Sequence, residues 1–185
     1  MDWEFDILYW FQDLHDPLMD KVALGLTMLA EKGIFWIALM LVILLFVKDK
    51  KVGLTGWVAL CLSVLLCNIL LKNIVQRDRP CWIDPSIQLL VDIPDDYSFP
   101  SGHTSFSFAG AVAIFRYYKG WGFLALVLAA MIGLSRLYLF VHFPTDVLVG
   151  AFCGIVSGML AGMLVRDFYK VYPNFRIPIL EKRDR

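Results

Sequence analysis

The residues of this chain that could carry out chemistry are cations and histidines placed where polar loops meet apolar segments. Ser101 and Gly102 begin one such segment, where serine suits a helix cap and glycine allows close backbone approach. A helix start offers unpaired N–H groups and a partial positive charge, and both favour a bound anion. The other candidates flank this point: Lys72, Arg79, His103, Arg136, His142 and Asp146. Together these residue types predict a site that binds and cleaves a phosphate group.

Arg136 is the most informative of the cations because it lies within an otherwise apolar segment. A guanidinium there costs several kcal/mol unless it is paired or hydrated. One alternative is a structural ion pair with Asp146, and loop aspartates could likewise serve Lys72 and Arg79. We favour a functional role for the three cations, because all of them emerge at one membrane level.

Two of the three histidines are candidates for catalysis. His15 lies on an acidic N-terminal segment and is expected to be a solvated surface residue. His103 and His142 lie beside the cations, and Asp146 follows His142 closely. A lone histidine there could be a simple hydrogen-bonding residue, whereas a pair indicates an acid and a nucleophile. An imidazole attacks well when it is neutral and oriented, and a carboxylate at its second nitrogen provides that orientation.

Apolar residues make up 59% of the chain and charged residues 18%, a balance that is unlike that of soluble proteins. Apolar runs predict an all-α, polytopic membrane helix bundle of about six transmembrane helices. Their predicted ranges are 17–30, 34–47, 52–71, 101–118, 121–141 and a last helix from 144. The first two are short for a hydrocarbon core that needs about 20 residues, so a hairpin with both ends on one face is an alternative.

Two segments lie outside these helices, at 1–16 and at 73–99. Apolar residues recur at helical spacing in the first, which predicts an amphipathic helix: Trp3, Ile7, Phe11 and Leu14. This helix is expected either to lie at the membrane interface or to pack on the bundle. The second segment is a long loop, and such loops often bind or cover a site.

Charge and cysteine content exclude several classes of protein. The formal net charge is +0, and no basic stripe indicates a nucleic-acid partner. The acidic, aromatic start is unlike a cleavable signal peptide. Three cysteines fall in apolar helices and no C-x2-C pair occurs, so neither a disulfide framework nor a thiolate metal site is expected. Cys81 lies in the long loop, where we expect it to react with a membrane-impermeant thiol reagent.

The last helix carries a ridge of glycines at every fourth position: Gly150, Gly154, Gly158 and Gly162. A ridge of small residues lets another helix approach closely in lipid. We favour packing inside the bundle, with dimerisation through the ridge as the alternative.

Basic residues outside the candidate site concentrate in one set of loops and in the tail at 166–185. The loop residues are Lys48, Lys50, Lys51, Arg116 and Lys119. The positive-inside rule makes their face cytoplasmic. The site is therefore expected to face the periplasm or the cell exterior, from a multi-pass protein of the cell (cytoplasmic) membrane.

Three sequence blocks resemble the signature of the type 2 phosphatidic acid phosphatase family, PAP2. Residues 72–80 read K-x6-R-P, residues 100–103 read P-S-G-H, and residues 135–146 read S-R-x5-H-x3-D. One block alone is a weak pattern, but three in order, each at the mouth of an apolar segment, are specific. The predicted helices are similar to the family's plan over residues 1–185, which implies a single membrane domain.

The resemblance implies a role for each candidate residue. His142 would attack phosphorus and form a phosphohistidine, Asp146 would fix its tautomer, and His103 would protonate the departing oxygen and then help water to discharge the intermediate. The non-bridging phosphate oxygens would be held by Lys72, Arg79, Ser101, Gly102 and Arg136. Neither a metal nor a cofactor is implied.

The resemblance also implies a lipid phosphate as the substrate, with its tail among membrane lipids. A polyprenyl diphosphate, phosphatidylglycerophosphate or phosphatidic acid would fit, and the residues do not choose among them. A phosphotransferase that passes phosphate to an acceptor lipid would use the same intermediate. An anion transporter or channel is a further alternative, since charges inside a membrane also mark ion pathways, but no inverted repeat is visible in the sequence.

Overall fold

The structure, a computed structural model, describes residues 2–173 and 175. Its helices are α1 (Asp2–Asp13), α2 (Pro17–Ala30), α3 (Ile34–Phe46), α4 (Lys50–Ser63), α5 (Lys72–Val75), α6 (Pro80–Ile83), α7 (Gly102–Tyr117), α8 (Lys119–Tyr138) and α9 (Pro144–Val171). A 3-10 turn (Glu31–Gly33) joins α2 to α3, and a π-helical segment (Val64–Leu71) joins α4 to α5. The described residues contain no strand, which agrees with the all-α fold class.

Local sequence signals set the ends of several helices. Asp16 caps α2 by accepting two backbone hydrogen bonds, of 2.7 and 3.1 Å, and Pro17 takes the first helical position. α8 ends at Tyr138 and not near Val141 as predicted. The reason is the backbone of Phe140, whose φ of 58° is left-handed and cannot continue a helix.

Among the residues that the structure describes, four helical segments are long and apolar enough to cross a membrane: Pro17–Phe46, Lys50–Ile83, Lys119–Tyr138 and Pro144–Val171. They make the chain a multi-pass membrane protein, and the predicted membrane helix bundle is confirmed. α7 has 16 residues and packs against α4, α8 and α9. The predicted number of six spanning helices is not confirmed.

α2 and α3 together make one passage across the bundle, and the hairpin considered from the sequence does not form. His15, just before α2, lies 3.1 Å from the carbonyl oxygen of Tyr138, at the end of α8. Val47, just after α3, lines a cavity with Tyr118, just before α8. Since the 20 residues of α8 extend about 30 Å, these two points lie at opposite ends of the bundle. Gly33, with a left-handed φ of 69°, bends the chain between α2 and α3 without reversing it.

The glycine ridge of α9 lies against α7. A Cβ atom added at Gly150 would lie 2.6 Å from the carbonyl oxygen of Ser101, and one at Gly158 would lie 2.7 Å from the side chain of Val112. The missing side chains therefore let the two helices pack closely. This packing brings the start of α7 beside the start of α9, where the Ser101 N–H donates a 3.0 Å hydrogen bond to the carbonyl oxygen of Asp146.

α1 packs across the end of the bundle that carries the starts of α7 and α9. Leu8 is buried, and the ring of Phe5 lies edge-on to that of Phe143, with centroids 5.3 Å apart. Trp3 and Trp10 are 52% and 58% exposed. α1 is thus amphipathic as predicted, with one face on the bundle and tryptophans left free for the lipid interface.

Cys81 is buried, contrary to the expectation that it is accessible in the long loop. The short helix α6 carries it into an apolar cluster that includes Leu8 and Phe143, and it is 5% exposed. An impermeant thiol reagent therefore has no access to it in the folded protein.

Candidate active site

A cavity of about 630 Å³ opens at the end of the bundle that carries the long loop and the start of α7. Six of the eight predicted site residues line it: Lys72, Arg79, Gly102, His103, Arg136 and His142. The other two, Ser101 and Asp146, are fully buried behind its wall. The structure therefore brings the predicted residues to one place.

The first cation, Lys72, is presented by a helix that runs beyond its predicted end at residue 71. The chain stays helical through the π segment and α5 as far as Val75, and Gln76, with a left-handed φ of 49°, ends it. Lys72 lies on this extension, and Arg79 follows just before α6. Short π segments within α-helices are frequent at functional sites.

Lys72 and Arg79 share one carboxylate, that of Asp96 in the long loop. Arg79 also donates 2.7 Å hydrogen bonds to the carbonyl oxygens of Asp96 and Val141. Burial opposes ionisation of Asp96, but the hydrogen bond from Lys72 and the charge of Arg79 outweigh it and lower the pKa of this carboxyl to about 2. Because Asp96 also lines the cavity, an anionic ligand competes with it for the two cations.

The unprotonated ring nitrogen of His142 faces the cations of the cavity. Its Nε2 atom lies 3.2 Å from Nη1 of Arg79, and since a guanidinium only donates, Nε2 is the unprotonated nitrogen. Its Nδ1 atom lies 3.4 Å from Oγ of Ser98 and 3.6 Å from Oδ2 of Asp146. Burial, followed by the positive charges of Arg79 and Arg136, holds the pKa of His142 well below its ordinary value. The site thus contains a neutral imidazole with its lone pair on Nε2.

Asp146 is placed by the first turn of α9 and is fully buried. Its Oδ2 atom accepts a 2.8 Å hydrogen bond from the Phe143 N–H and another from the hydroxyl of Ser98. Its Oδ1 atom accepts a 2.8 Å hydrogen bond from Nη1 of Arg77. A buried carboxylate needs such partners, and these fix its orientation toward His142.

Arg77 connects Asp146 to the N-terminal helix. Its Nη2 atom donates a 2.6 Å hydrogen bond to Glu4, and its Nη1 atom also donates to the hydroxyl of Thr145 at 2.7 Å. That hydroxyl donates in turn to Glu4 at 2.7 Å. The guanidinium lies over the ring of Phe143, 3.9 Å from its centroid. α1 is therefore tied to the groups that hold the candidate catalytic carboxylate.

Arg136 and His103 line the cavity and retain nitrogens without a partner. Nη1 of Arg136 donates to the hydroxyl of Thr27, but its buried Nε makes no hydrogen bond within the described residues. The same holds for Nε2 of His103 in that part of the chain. The ion pair of Arg136 with Asp146, considered from the sequence, does not form, because Arg77 occupies the carboxylate. Buried unpaired nitrogens at a cavity are available to hydrogen-bond a ligand that enters it.

Ser101 does not act as the side-chain cap predicted for α7. Its hydroxyl accepts a 2.9 Å hydrogen bond from the hydroxyl of Thr104, and no side chain caps the helix within the described residues. Gly102 does allow a close approach, since a Cβ atom there would lie 3.0 Å from Oδ1 of Asn68. The start of α7 thus keeps its N–H groups for a ligand, as an anion site requires.

Four residues that support the site were not predicted from the sequence: Glu4, Arg77, Asp96 and Ser98. Arg77 lies inside the first block, and Ser98 lies just before the second, so their positions were a usable signal. Asp96 is one of several aspartates in the loop, and nothing in the sequence distinguishes it. Glu4 gave no signal, because only the fold brings the N-terminal segment to this end of the bundle.

A protein-family model described as the PAP2 superfamily matches residues 54–170, the range that holds all predicted site residues. The bacitracin transport permease protein BcrC of Bacillus licheniformis is 32% identical over 134 residues, which is 71% of this chain and 66% of that protein. The undecaprenyl-diphosphatase of Sulfolobus acidocaldarius is 31% identical over 121 residues, 64% of this chain and 58% of that protein. The chain thus spans less than two thirds of the length of either relative.

A solved structure shares the fold. The crystal structure of a transmembrane PAP2 type phosphatidylglycerolphosphate phosphatase from Bacillus subtilis aligns with a TM-score of 0.70 at 27% sequence identity. The alignment covers 95% of this chain and 88% of that one. The arrangement of helices around the cavity is therefore similar to that of a known membrane protein.

Proposed function

Since the chain belongs to the PAP2 superfamily, we propose that it is a membrane lipid phosphatase, a hydrolase that removes phosphate from a phosphate ester or diphosphate of a lipid. The observation that carries the proposal is the cavity at one end of the bundle, where three cations meet His103 and His142. Cations stabilise charge on phosphate oxygens, and the two histidines supply a nucleophile and an acid.

In the first step, Nε2 of His142 attacks the phosphorus atom. A P–N bond forms and the P–O bond to the lipid breaks, while His103, which is protonated when the anionic phosphate is bound beside it, donates that proton to the departing oxygen. Nδ1 of His142 keeps its proton, so the phosphorylated imidazole carries a positive charge. The carboxylate of Asp146, 3.6 Å from Nδ1, stabilises that charge and holds the ring.

In the second step, water replaces the lipid oxygen. His103, now neutral, takes a proton from water as its oxygen bonds to phosphorus and the P–N bond breaks. Inorganic phosphate leaves, and His142 returns to its neutral form. An acceptor lipid hydroxyl in place of water would make the protein a phosphotransferase, which is the alternative that uses the same intermediate.

Lys72, Arg79 and Arg136 bind the non-bridging oxygens of the phosphate. Arg136 offers its unpartnered Nε–H, and the start of α7 offers the N–H of Gly102. Lys72 and Arg79 exchange the carboxylate of Asp96 for phosphate oxygens as the substrate binds. These groups supply the charge that the transition state needs, and no step of this scheme passes through a metal.

A lipid can reach the site from the bilayer because part of the cavity wall is apolar. Leu24 and Met28 of α2 and Val64 of the π segment line the cavity together with the cations, and Met28 is 71% exposed. The phosphate can therefore lie at the cations while the tail stays among lipids. Candidate substrates are a polyprenyl diphosphate, phosphatidylglycerophosphate and phosphatidic acid, of which the first two resemble the substrates that name the Sulfolobus and Bacillus subtilis proteins.

The active site faces the periplasm or the cell exterior in this proposal. Five basic residues lie where α3 meets α4 and where α7 meets α8, at the end of the bundle opposite to the cavity: Lys48, Lys50, Lys51, Arg116 and Lys119. We place the protein in the cytoplasmic membrane. The positive-inside rule then directs the basic end of the bundle toward the cytoplasm. α1 then lies on the outer surface.

A phosphate-release panel in detergent tests the proposal. The three candidate lipids are compared with glucose 6-phosphate as a soluble control and with His142→Ala protein as a blank. We expect kcat/KM for the best lipid to exceed that for glucose 6-phosphate by orders of magnitude. Comparable values would overturn the lipid assignment. No release above the blank from any substrate would overturn the phosphatase proposal and leave two alternatives: the phosphotransferase, and transport, the activity that the name of BcrC suggests.

A further inference from the structure

A second charged cavity lies at the end of the bundle opposite to the active site. It has a volume of about 290 Å³ and is lined by Lys51, Arg116, Tyr117, Arg166, Tyr169 and Lys170. These residues come from the start of α4, the end of α7 and the last turns of α9. The 16 residues of α7 extend about 24 Å, so this cavity and the start of α7 belong to different membrane surfaces.

The four cations of this second cavity exceed their acidic partners. Asp167 pairs with Arg166 at 3.0 Å and with Lys170 at 3.1 Å. Lys51 and Arg116 make no ion pair within the described residues. Their like charges therefore repel across a concave surface, and a bound anion would offset this repulsion.

The fold holds both unpaired cations at the cavity. A Cβ atom added at Gly162 would lie 2.6 Å from Nε of Arg116, so the glycine leaves a groove in which the arginine side chain lies. Nζ of Lys51 lies over the ring of Tyr169, 5.0 Å from its centroid. The hydroxyl of Tyr117 is positioned by a 2.9 Å hydrogen bond with Thr55. The cavity is thus built from three helices and is not a random cluster of surface lysines.

We infer that this cavity binds the phosphate headgroup of an anionic phospholipid in the leaflet opposite to the active site. Basic pockets between transmembrane helices bind such headgroups, and tyrosines lie at the headgroup level of membranes. Arginine suits a phosphate because its planar guanidinium donates two parallel hydrogen bonds. The inference depends on the chain crossing a membrane and is independent of the proposed catalysis.

Thermal unfolding of the purified protein tests the inference. With phosphatidylglycerol added to the detergent, we expect the Tm of the wild type to rise by about 2–4 °C more than with the same amount of phosphatidylcholine. The double variant Lys51→Gln, Arg116→Gln should lose this difference. The matched control Lys48→Gln, Lys119→Gln removes two basic residues at the same end that do not line the cavity, and it should keep the difference. Native mass spectrometry should show one retained phosphatidylglycerol in the wild type and none in the double variant.

Three results would overturn the inference. The first is an equal rise with phosphatidylcholine, and the second is an undiminished difference in the double variant. The third is an equal rise with inorganic phosphate or glycerol phosphate at the same concentration, because the ligand would then be a soluble phosphate and not a lipid. If the double variant yields no folded protein, Arg116→Gln alone takes its place, since this side chain lies on the exposed surface, and it should lose most of the difference.

Discussion

Arg77 donates a 2.6 Å hydrogen bond to Glu4, and this contact joins the first turn of the N-terminal helix to the support of the candidate nucleophile. On its other side Arg77 donates a 2.8 Å hydrogen bond to Asp146, whose carboxylate lies 3.6 Å from His142. Glu4 is 5% exposed, so the loss of Arg77 would leave a buried carboxylate without its cationic partner. The helix that was expected only to rest on the membrane or pack on the bundle therefore also helps to position the site.

Glu4→Gln tests this connection. Without the charged partner, Arg77 holds the carboxylate of Asp146 less firmly, so we expect kcat to fall about tenfold, equivalent to about 1.4 kcal/mol, with little change in KM. The measurement is steady-state phosphate release from the preferred lipid. Asp6→Asn is the control, because Asp6 is exposed on the same helix, and it should leave kcat unchanged. An equal loss in both variants, or none in Glu4→Gln, contradicts the connection.

Asp96→Asn tests competition for the phosphate-binding cations. The carboxylate of Asp96 holds Lys72 and Arg79, so its removal frees both for an anion. We expect inhibition by vanadate or inorganic phosphate to tighten about fivefold, equivalent to about 1 kcal/mol for a half-exposed pair. Asp95→Asn serves as the control, since Asp95 also lines the cavity but makes no ion pair in the part of the chain described here. Weaker inhibition in Asp96→Asn would mean that the carboxylate orients the cations instead of competing for them.

The stability of the protein should decrease on mild acidification because His142 is buried without a charge. Burial holds the pKa of His142 in the folded chain well below its ordinary value. On mild acidification, therefore, His142 binds a proton in the unfolded chain but not in the folded chain. The free energy of unfolding is therefore unaffected by His142 above the ordinary histidine pKa of about 6.5, and it decreases as the pH falls below that value. We expect Tm to fall between about pH 7 and about pH 5, and to fall less in His142→Gln than in the wild type. A fall in His142→Gln as steep as in His15→Gln, the control, would contradict this origin.

Cysteine labelling in intact cells tests the sidedness. Cys81 is unsuitable because it is buried, so single cysteines are placed at exposed positions in a variant without native cysteines. Ser86→Cys, in the loop beside the active site, should react with a membrane-impermeant thiol reagent, and Lys119→Cys, at the opposite end, should not. The reverse pattern would place the active site on the cytoplasmic side.

The candidate site was predictable because its residues occur in ordered blocks at the mouths of apolar segments. That pattern predicted that His142, Arg136 and Lys72 lie near one another, and in the structure all three line one cavity. The single passage of α2 and α3 was not predictable, because lengths of apolar runs do not reveal that Gly33 bends the chain without reversing it. Glu4 was not predictable either, since its partners lie far away in sequence and follow only from the path of α1 and α2.

Covalent trapping tests the central claim, that His142 is the nucleophile. The protein is mixed with a lipid substrate labelled with radioactive phosphate, quenched in alkali during turnover, digested, and analysed for phosphohistidine. We predict that the wild type carries label on His142 and that this label disappears when excess unlabelled lipid is added before the quench. The His15→Ala control should also be labelled. His142→Ala should carry no label and should lack turnover. Label on another residue, or substantial turnover by His142→Ala, would contradict the account.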